Sequence, residues 1–228
     1  MPFARRGGVT RRVLSSVVVS GLFSATTAAS GQRWSWPRAA GAAGTTAALT
    51  AAVEHVGTHT GWPFGQYRYT TALQPRVAGV PALVPMAWFA MAVPARETAH
   101  AALGAHSTRT TRIVAGAATL TAWDLFLDPQ MVGEGYWRWA RTGAYRGIPL
   151  SNYLGWFATG LAVMTVLEIT LPAGEPAPEL VAEYGVMAAM ETAGFLSFFG
   201  DRIVAAVGGI GMLPVTAIAT ARLVGQRT

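Results

Sequence analysis

The chain has 228 residues, of which 52% are hydrophobic and only 12% charged. Soluble domains carry about 25% charged residues, so this composition excludes an ordinary water-soluble globule and points to an integral membrane protein. The net charge is +6 and every basic residue is arginine. The arginines lie at the ends of apolar runs and form no compact basic face, which argues for lipid orientation and against nucleic acid as a partner.

The absence of cysteine excludes disulfides, thiolate metal sites and a catalytic thiol. In chain order, a basic stretch with Arg5, Arg6, Arg11 and Arg12 precedes an apolar run at 13–30. That run reads as a retained first helix, with a cleaved signal segment as the alternative. Residues 32–38 (QRWSWPR) read as an interfacial turn. A weakly apolar second span at 39–56 ends in Glu54 and His55, and a polar, aromatic loop follows at 57–79. The third segment, 80–93, is short and holds Pro81 and Pro85; a connector with His100 and His106 is expected at 94–108. Further spans are expected at 109–127, 150–171, 179–199 and 202–224. A spanning helix needs about 20 residues. The count is seven, or six should the short third segment not cross. The expected fold is all-α, a polytopic transmembrane helix bundle forming one domain over residues 1–228. Apolar residues come in blocks and not in strict alternation, which disfavours a β-barrel.

With the N-terminus in the cytoplasm, ten arginines fall on that side and seven on the other. This is the sign the positive-inside rule requires. It puts the loops at 57–79 and 129–149 on one cytoplasmic face of the cell membrane.

Chemistry concentrates in 122–155. Asp124 and Asp128 share a helix face if the fourth span continues through Leu127. Two carboxyl groups that close in an apolar setting hold one proton between them, a store of acid. The plain reading of Asp128, which precedes Pro129, is that it ends the helix. Glu54 and Glu134 are further acids, with structural readings as partners of Arg68 and Arg138. Glu168 is placed to snorkel, and Glu191 lies deep enough to face the bundle interior, where an arginine such as Arg202 could pair with it. His55 and His59 are four apart, but the Gly57–Thr60 stretch makes a helix there doubtful and no third ligand is in sight; no metal is expected. The aromatics Trp62, Phe64, Tyr67, Tyr69, Trp123 and Trp137 form either an interfacial belt or the walls of a pocket that stabilises a cation. An acid that protonates an isolated alkene makes a tertiary carbocation; aromatic faces stabilise it and water quenches it. A lipophilic alkene, water and the bilayer are then the partners, and no cofactor is needed.

Three blocks carry a family resemblance: GTHTGWPFGQYRYT (57–70), AWDLFLDPQMVGEGYWRW (122–139) and GIPLSNYLGW (147–156). They resemble the integral-membrane carotenoid biosynthesis family, which includes carotenoid hydratases. The resemblance spans 54–201; the N-terminal run is not part of it. It implies addition of water to the terminal isopropylidene double bond of a linear carotenoid. Asp124 is then expected as proton donor with Asp128 as its partner. Glu54 or Glu134 would orient the water and Asn152 would help by hydrogen bonding, beside a substrate held by the aromatics. A non-catalytic carotenoid-binding or scaffold protein working with other enzymes of the pathway is the alternative. A small transporter with Glu54, Asp124 and Glu191 as a proton path is a third reading, against which the lack of paired repeats speaks.

Overall fold

The computed structural model describes residues 4, 5 and 7–225. Of the arginines used above for orientation, Arg6 and Arg227 lie outside the described residues. Among the described residues, seven α-helices follow one another: α1 (Val9–Trp34), α2 (Trp36–Thr60), α3 (Leu83–Leu103), α4 (Arg109–Gly133), α5 (Leu150–Thr170), α6 (Pro178–Gly194) and α7 (Arg202–Gly225). The expected all-α bundle of about seven helices is what the structure contains. Of these, α1, α5 and α7 are each long and apolar enough to cross a membrane on their own composition. The other helices bury polar groups against neighbours, which lowers their mean hydropathy without exposing those groups to lipid.

Four short strands accompany the helices among the described residues: β1 (Tyr67–Tyr69), β2 (Arg76–Val77), β3 (Val80–Pro81) and β4 (Trp137–Trp139). β2 and β3 form a hairpin turned at Ala78 and Gly79, both with positive φ. β1 and β4 pair antiparallel, with Tyr67 opposite Trp139 and Tyr69 opposite Trp137. That pairing stitches the α2–α3 connection to the α4–α5 connection, so the two motif-rich loops share one end of the bundle.

Several helix bounds differ from the sequence expectation, and prolines are the main reason. The connector expected at 94–108 is mostly helix: α3 runs through Pro94 to Leu103, and His100 is a helical residue. Pro94 has no N–H for the carbonyl of Ala90, and the Thr26 hydroxyl from α1 donates to that carbonyl instead (2.9 Å). In the same way α4 does not stop at Leu127 but continues through Pro129 to Gly133. The carbonyl of Leu125, left without its helical partner, accepts from the Tyr145 hydroxyl (2.9 Å). Asp128 therefore does not end a helix. The turn expected at 32–38 shrinks to Ser35 alone, and α2 extends to Thr60 with His55 and His59 both on it. The sixth span ends its regular helix at Gly194, and 195–199 form a π turn.

Gly61 takes φ 81° and stops α2 in a left-handed cap, the conformation that turns the chain back under the helix. On α5, Gly155 lets the 63–64 backbone seat against the helix: a Cβ there would lie 2.9 Å from the Pro63 carbonyl oxygen.

The two ends of the bundle are unlike. At the end away from β1 and β4, Arg96 of α3 is fully buried. Its Nε donates to Glu168 of α5 (2.9 Å), its Nη1 lies 3.4 Å from Glu97, and Arg112 of α4 also donates to Glu168 (2.6 and 3.0 Å). Glu168 does not snorkel; it is the hub of an ion-pair network. Glu97 accepts in turn from the backbone N–H of Ala177 (2.9 Å).

Candidate active site

At the β1–β4 end a cavity of about 100 Å³ lies among α2, α3, α4 and α5, roofed by the strand pair and closed on one side by Ser15 and Val19 of α1. Its wall is apolar and aromatic apart from Ser15, Glu54, Asp128, Asn152 and the tyrosine hydroxyls, and among the described residues no arginine lines it. Such a pocket, with few convergent polar groups, is the usual form of a small-molecule site.

Glu54 lies on the last turns of α2 and is 6% exposed. The Gly61 cap sends the chain back so that Tyr67 and Tyr69 reach it. Both phenols donate to its Oε2 (Tyr69 at 2.6 Å), and Trp88 of α3 donates its indole N–H to Oε1 (3.2 Å). Gly57, one turn after Glu54, leaves room for the Tyr67 hydroxyl, which would lie 3.0 Å from a Cβ at that position. Burial, and then the charge of Glu54, push both phenols up from their ordinary value, so they remain protonated donors. A carboxylate has about four acceptor positions; among the described residues two are used on Oε2 and one on Oε1, which leaves one open on Oε1.

Asp124 and Asp128 sit one turn apart on α4 and are 0% and 1% exposed. Asn152, in the first turn of α5, donates its amide to both, at 2.6 Å to Asp124 and 2.8 Å to Asp128. The other oxygen of Asp128 accepts from the indole N–H groups of Trp137 (2.5 Å) and Trp139 (3.4 Å) on β4. Asp124 Oδ1 has no partner among the described residues. The two acids are thus inequivalent: Asp128 reaches the cavity wall and Asp124 stands behind it, joined through Asn152. Among the described residues no ion pair neutralises either.

The aromatic walls have defined geometry. Trp88 and Trp156 stack at 3.9 Å between centroids, and Trp123 meets Trp156 edge-on at 6.0 Å. Across the roof, Tyr67 lies 5.2 Å from Trp139, and Tyr69 meets Trp137 edge-on at 5.9 Å. A cation over an aromatic face gains roughly 0.5–2 kcal/mol.

Of the residues singled out in the sequence, Glu54, Phe64, Tyr67, Tyr69, Trp123, Asp128, Trp137 and Asn152 line one cavity, with Asp124 directly behind. Two do not join them. Glu134 points away to the N-terminus of α1, where it is paired with Arg11 and accepts from the Gly7 N–H (3.0 Å); its partner is not Arg138. Trp62 is 69% exposed at the tip of the loop. Glu54 pairs with phenols and an indole, not with Arg68. Glu191 is buried, but no ion pair joins it to Arg202 among the described residues. The rings of His55 and His59 lie 4.3 Å apart, tilted, on the outside of α2, and His55 bonds the Ala78 carbonyl (2.9 Å).

Trp88 is a wall residue that the sequence pattern does not single out. The available signal is a tryptophan in the middle of an apolar run, far from either interface, whose N–H must find a partner when buried. Ser15 and Val19 carry no such signal, because nothing local marks the face that α1 presents.

These features can be set beside known proteins. A family model described as "Carotenoid biosynthesis protein" matches residues 10–223. The match begins within α1, so it extends beyond the 54–201 stretch that carries the resemblance in sequence. A bisanhydrobacterioruberin hydratase from Haloarcula japonica is 34% identical over 118 residues, which cover 51% of this chain and 40% of that protein. This chain therefore matches less than half the length of that relative. No solved structure matches. With a match over nearly all of its length, the chain belongs to the carotenoid biosynthesis protein family.

Proposed function

We propose that the protein adds water across the terminal isopropylidene double bond of a linear carotenoid, giving a tertiary alcohol, using acid and base groups of the chain alone. The observation that carries this reading is a buried carboxyl pair with one member, Asp128, on the wall of an aromatic cavity that no arginine lines among the described residues. The name of the haloarchaeal relative, a hydratase, supports the same class of reaction.

In the reaction, Asp128 gives its proton to the CH carbon of the alkene. The π electrons form the new C–H bond, and the positive charge falls on the carbon bearing two methyl groups. The faces of Trp88, Trp123 and Trp156 and the carboxylate of Glu54 stabilise that charge as it develops. Water held at the open acceptor position of Glu54 Oε1 attacks the cation, and its surplus proton passes to Glu54. Return of that proton to Asp128 closes the cycle, so one water is consumed and no proton is lost. Asp124 and Asn152 set the protonation and rotamer of Asp128. The donor role thus moves from Asp124, expected from sequence, to Asp128, because only Asp128 reaches the cavity.

The test is expression in a host that accumulates a linear carotenoid, followed by chromatography and mass analysis of the pigments. The expected product is heavier by one water, with its oxygen derived from labelled solvent water. A pigment profile identical to that of the empty host would overturn the reading and favour a carrier or scaffold.

A further inference from the structure

The cavity is small for a substrate that is a long chain, and the structure continues it sideways. An open groove of about 450 Å³ runs between α1 and residues 72–74, and Leu73 lines both the groove and the cavity. On α1, residues 9, 13, 16 and 20 form one face at helical spacing, directed into the groove. Arg12 lies on the edge of that face and Val19 follows on the cavity side, so the two surfaces are contiguous around the helix. Small side chains, Ser16, Ser20 and Ala72, line the groove together with Val9, Val13 and Val17, each more than half exposed, and with Gln74.

We infer that this groove holds the extended polyene tail of the substrate whose reactive end occupies the cavity. The inference rests on the hydration reading above. It accounts for three observations together: a cavity that admits only a chain end, a shared wall at Leu73, and a helix face of small residues and exposed valines. It also gives Glu134 a use. The carboxylate ties the start of α1 to the end of α4 through Arg11 and Gly7, and Ser15 meets the Tyr136 hydroxyl (3.1 Å), so the groove wall is held in register with the cavity.

The test compares two substrates, a full-length linear carotenoid and a short isoprenoid alcohol with the same terminal isopropylidene group. It uses the wild type, a Ser16→Phe/Ser20→Phe double variant that fills the groove, and Val18→Phe on the opposite face of α1 as control. Displacing two methylene units of buried chain already lowers affinity about tenfold. The kcat/KM ratio of long to short substrate should therefore fall at least about tenfold in the double variant and stay at the wild-type value in the control. A ratio unchanged in the double variant overturns the groove, leaving it covered by bilayer lipid alone, while hydration itself stands. Should the wild type hydrate neither substrate, the hydration reading fails. Equilibrium binding of the long carotenoid to protein in lipid nanodiscs then decides the groove: affinity at least about tenfold weaker in the double variant supports it, and equal affinity overturns it.

Discussion

The two ends of the bundle both bury carboxyl groups, and those around the cavity are treated in the opposite way to those at the far end. At the far end Glu97 and Glu168 meet Arg96 and Arg112 in a closed set of ion pairs. At the cavity end, among the described residues, Glu54, Asp124 and Asp128 meet only neutral donors: two phenols, three indoles and one amide. Along α5 the ends lie about 24 Å apart, sixteen residues from Asn152 to Glu168 at 1.5 Å each. A guanidinium beside a carboxylate satisfies its charge and makes it inert. A neutral donor orients a carboxyl group and leaves its proton available. The first arrangement holds helices together; in the proposed reaction the second keeps acid and base ready in an apolar site. The difference has a physical requirement behind it, since an arginine in the cavity would repel the carbocation that the proposed reaction forms.

Substitutions should separate the two ends cleanly. The largest effect on turnover is expected from Asp128→Asn. Losing a general acid costs typically 10²- to 10⁴-fold in rate, while the loss of stability in detergent should stay within about 1–3 kcal/mol, because the amide oxygen of asparagine can still accept from the indoles and only the Asn152 amide loses its acceptor. Arg96→Met should do the reverse. Breaking a buried pair destabilises by about 3–5 kcal/mol, read as a lower unfolding temperature, with turnover per folded molecule kept. If Arg96→Met lost activity without losing stability, the assignment of the far end to structure would fail.

A smaller effect belongs to Tyr67→Phe and Tyr69→Phe. Each removes one hydrogen bond to Glu54, a loss of about 1.5–3 kcal/mol for a charged acceptor, seen in kcat more than in stability. The alkaline side of the pH–rate profile should keep its wild-type shape in both. The phenols are shifted upward by burial and by Glu54, so they stay protonated below their raised values and never supply that limb. Smallest of all is Trp62→Ala, within about 0.5 kcal/mol for an exposed residue and without effect on the product. A large loss there would return Trp62 to the site from which its exposure removes it.

Much of the site is legible in the amino-acid sequence, because its residues break local rules. Asp124 inside an apolar run and Glu54 near the end of another are costly in a membrane unless used. The i,i+4 spacing of the aspartates is directly visible, and Asn152 and the loop aromatics belong to the blocks that carry the family resemblance. Where sequence and structure part, the cause is shared. Pro94 and Pro129 look like stops because a lone helix cannot repair a missing N–H, whereas Thr26 and Tyr145 repair these two from other elements. Glu134 looks like part of the site because it is close in sequence to Asp128, and its actual partner, Arg11, is 123 residues away.

Composition by itself determined that this is a membrane helix bundle of about seven helices, since apolar blocks of spanning length and so few charges admit little else. It also determined which residues could carry chemistry, since an ionisable group in an apolar run needs a reason to be there. Only the tertiary structure decided which acid faces the cavity, which carboxylates are neutralised by arginine, and that Trp88, Ser15 and Val19 complete the wall. Those facts depend on which faces of separate helices meet, and periodicity within one helix gives a face without naming its neighbour.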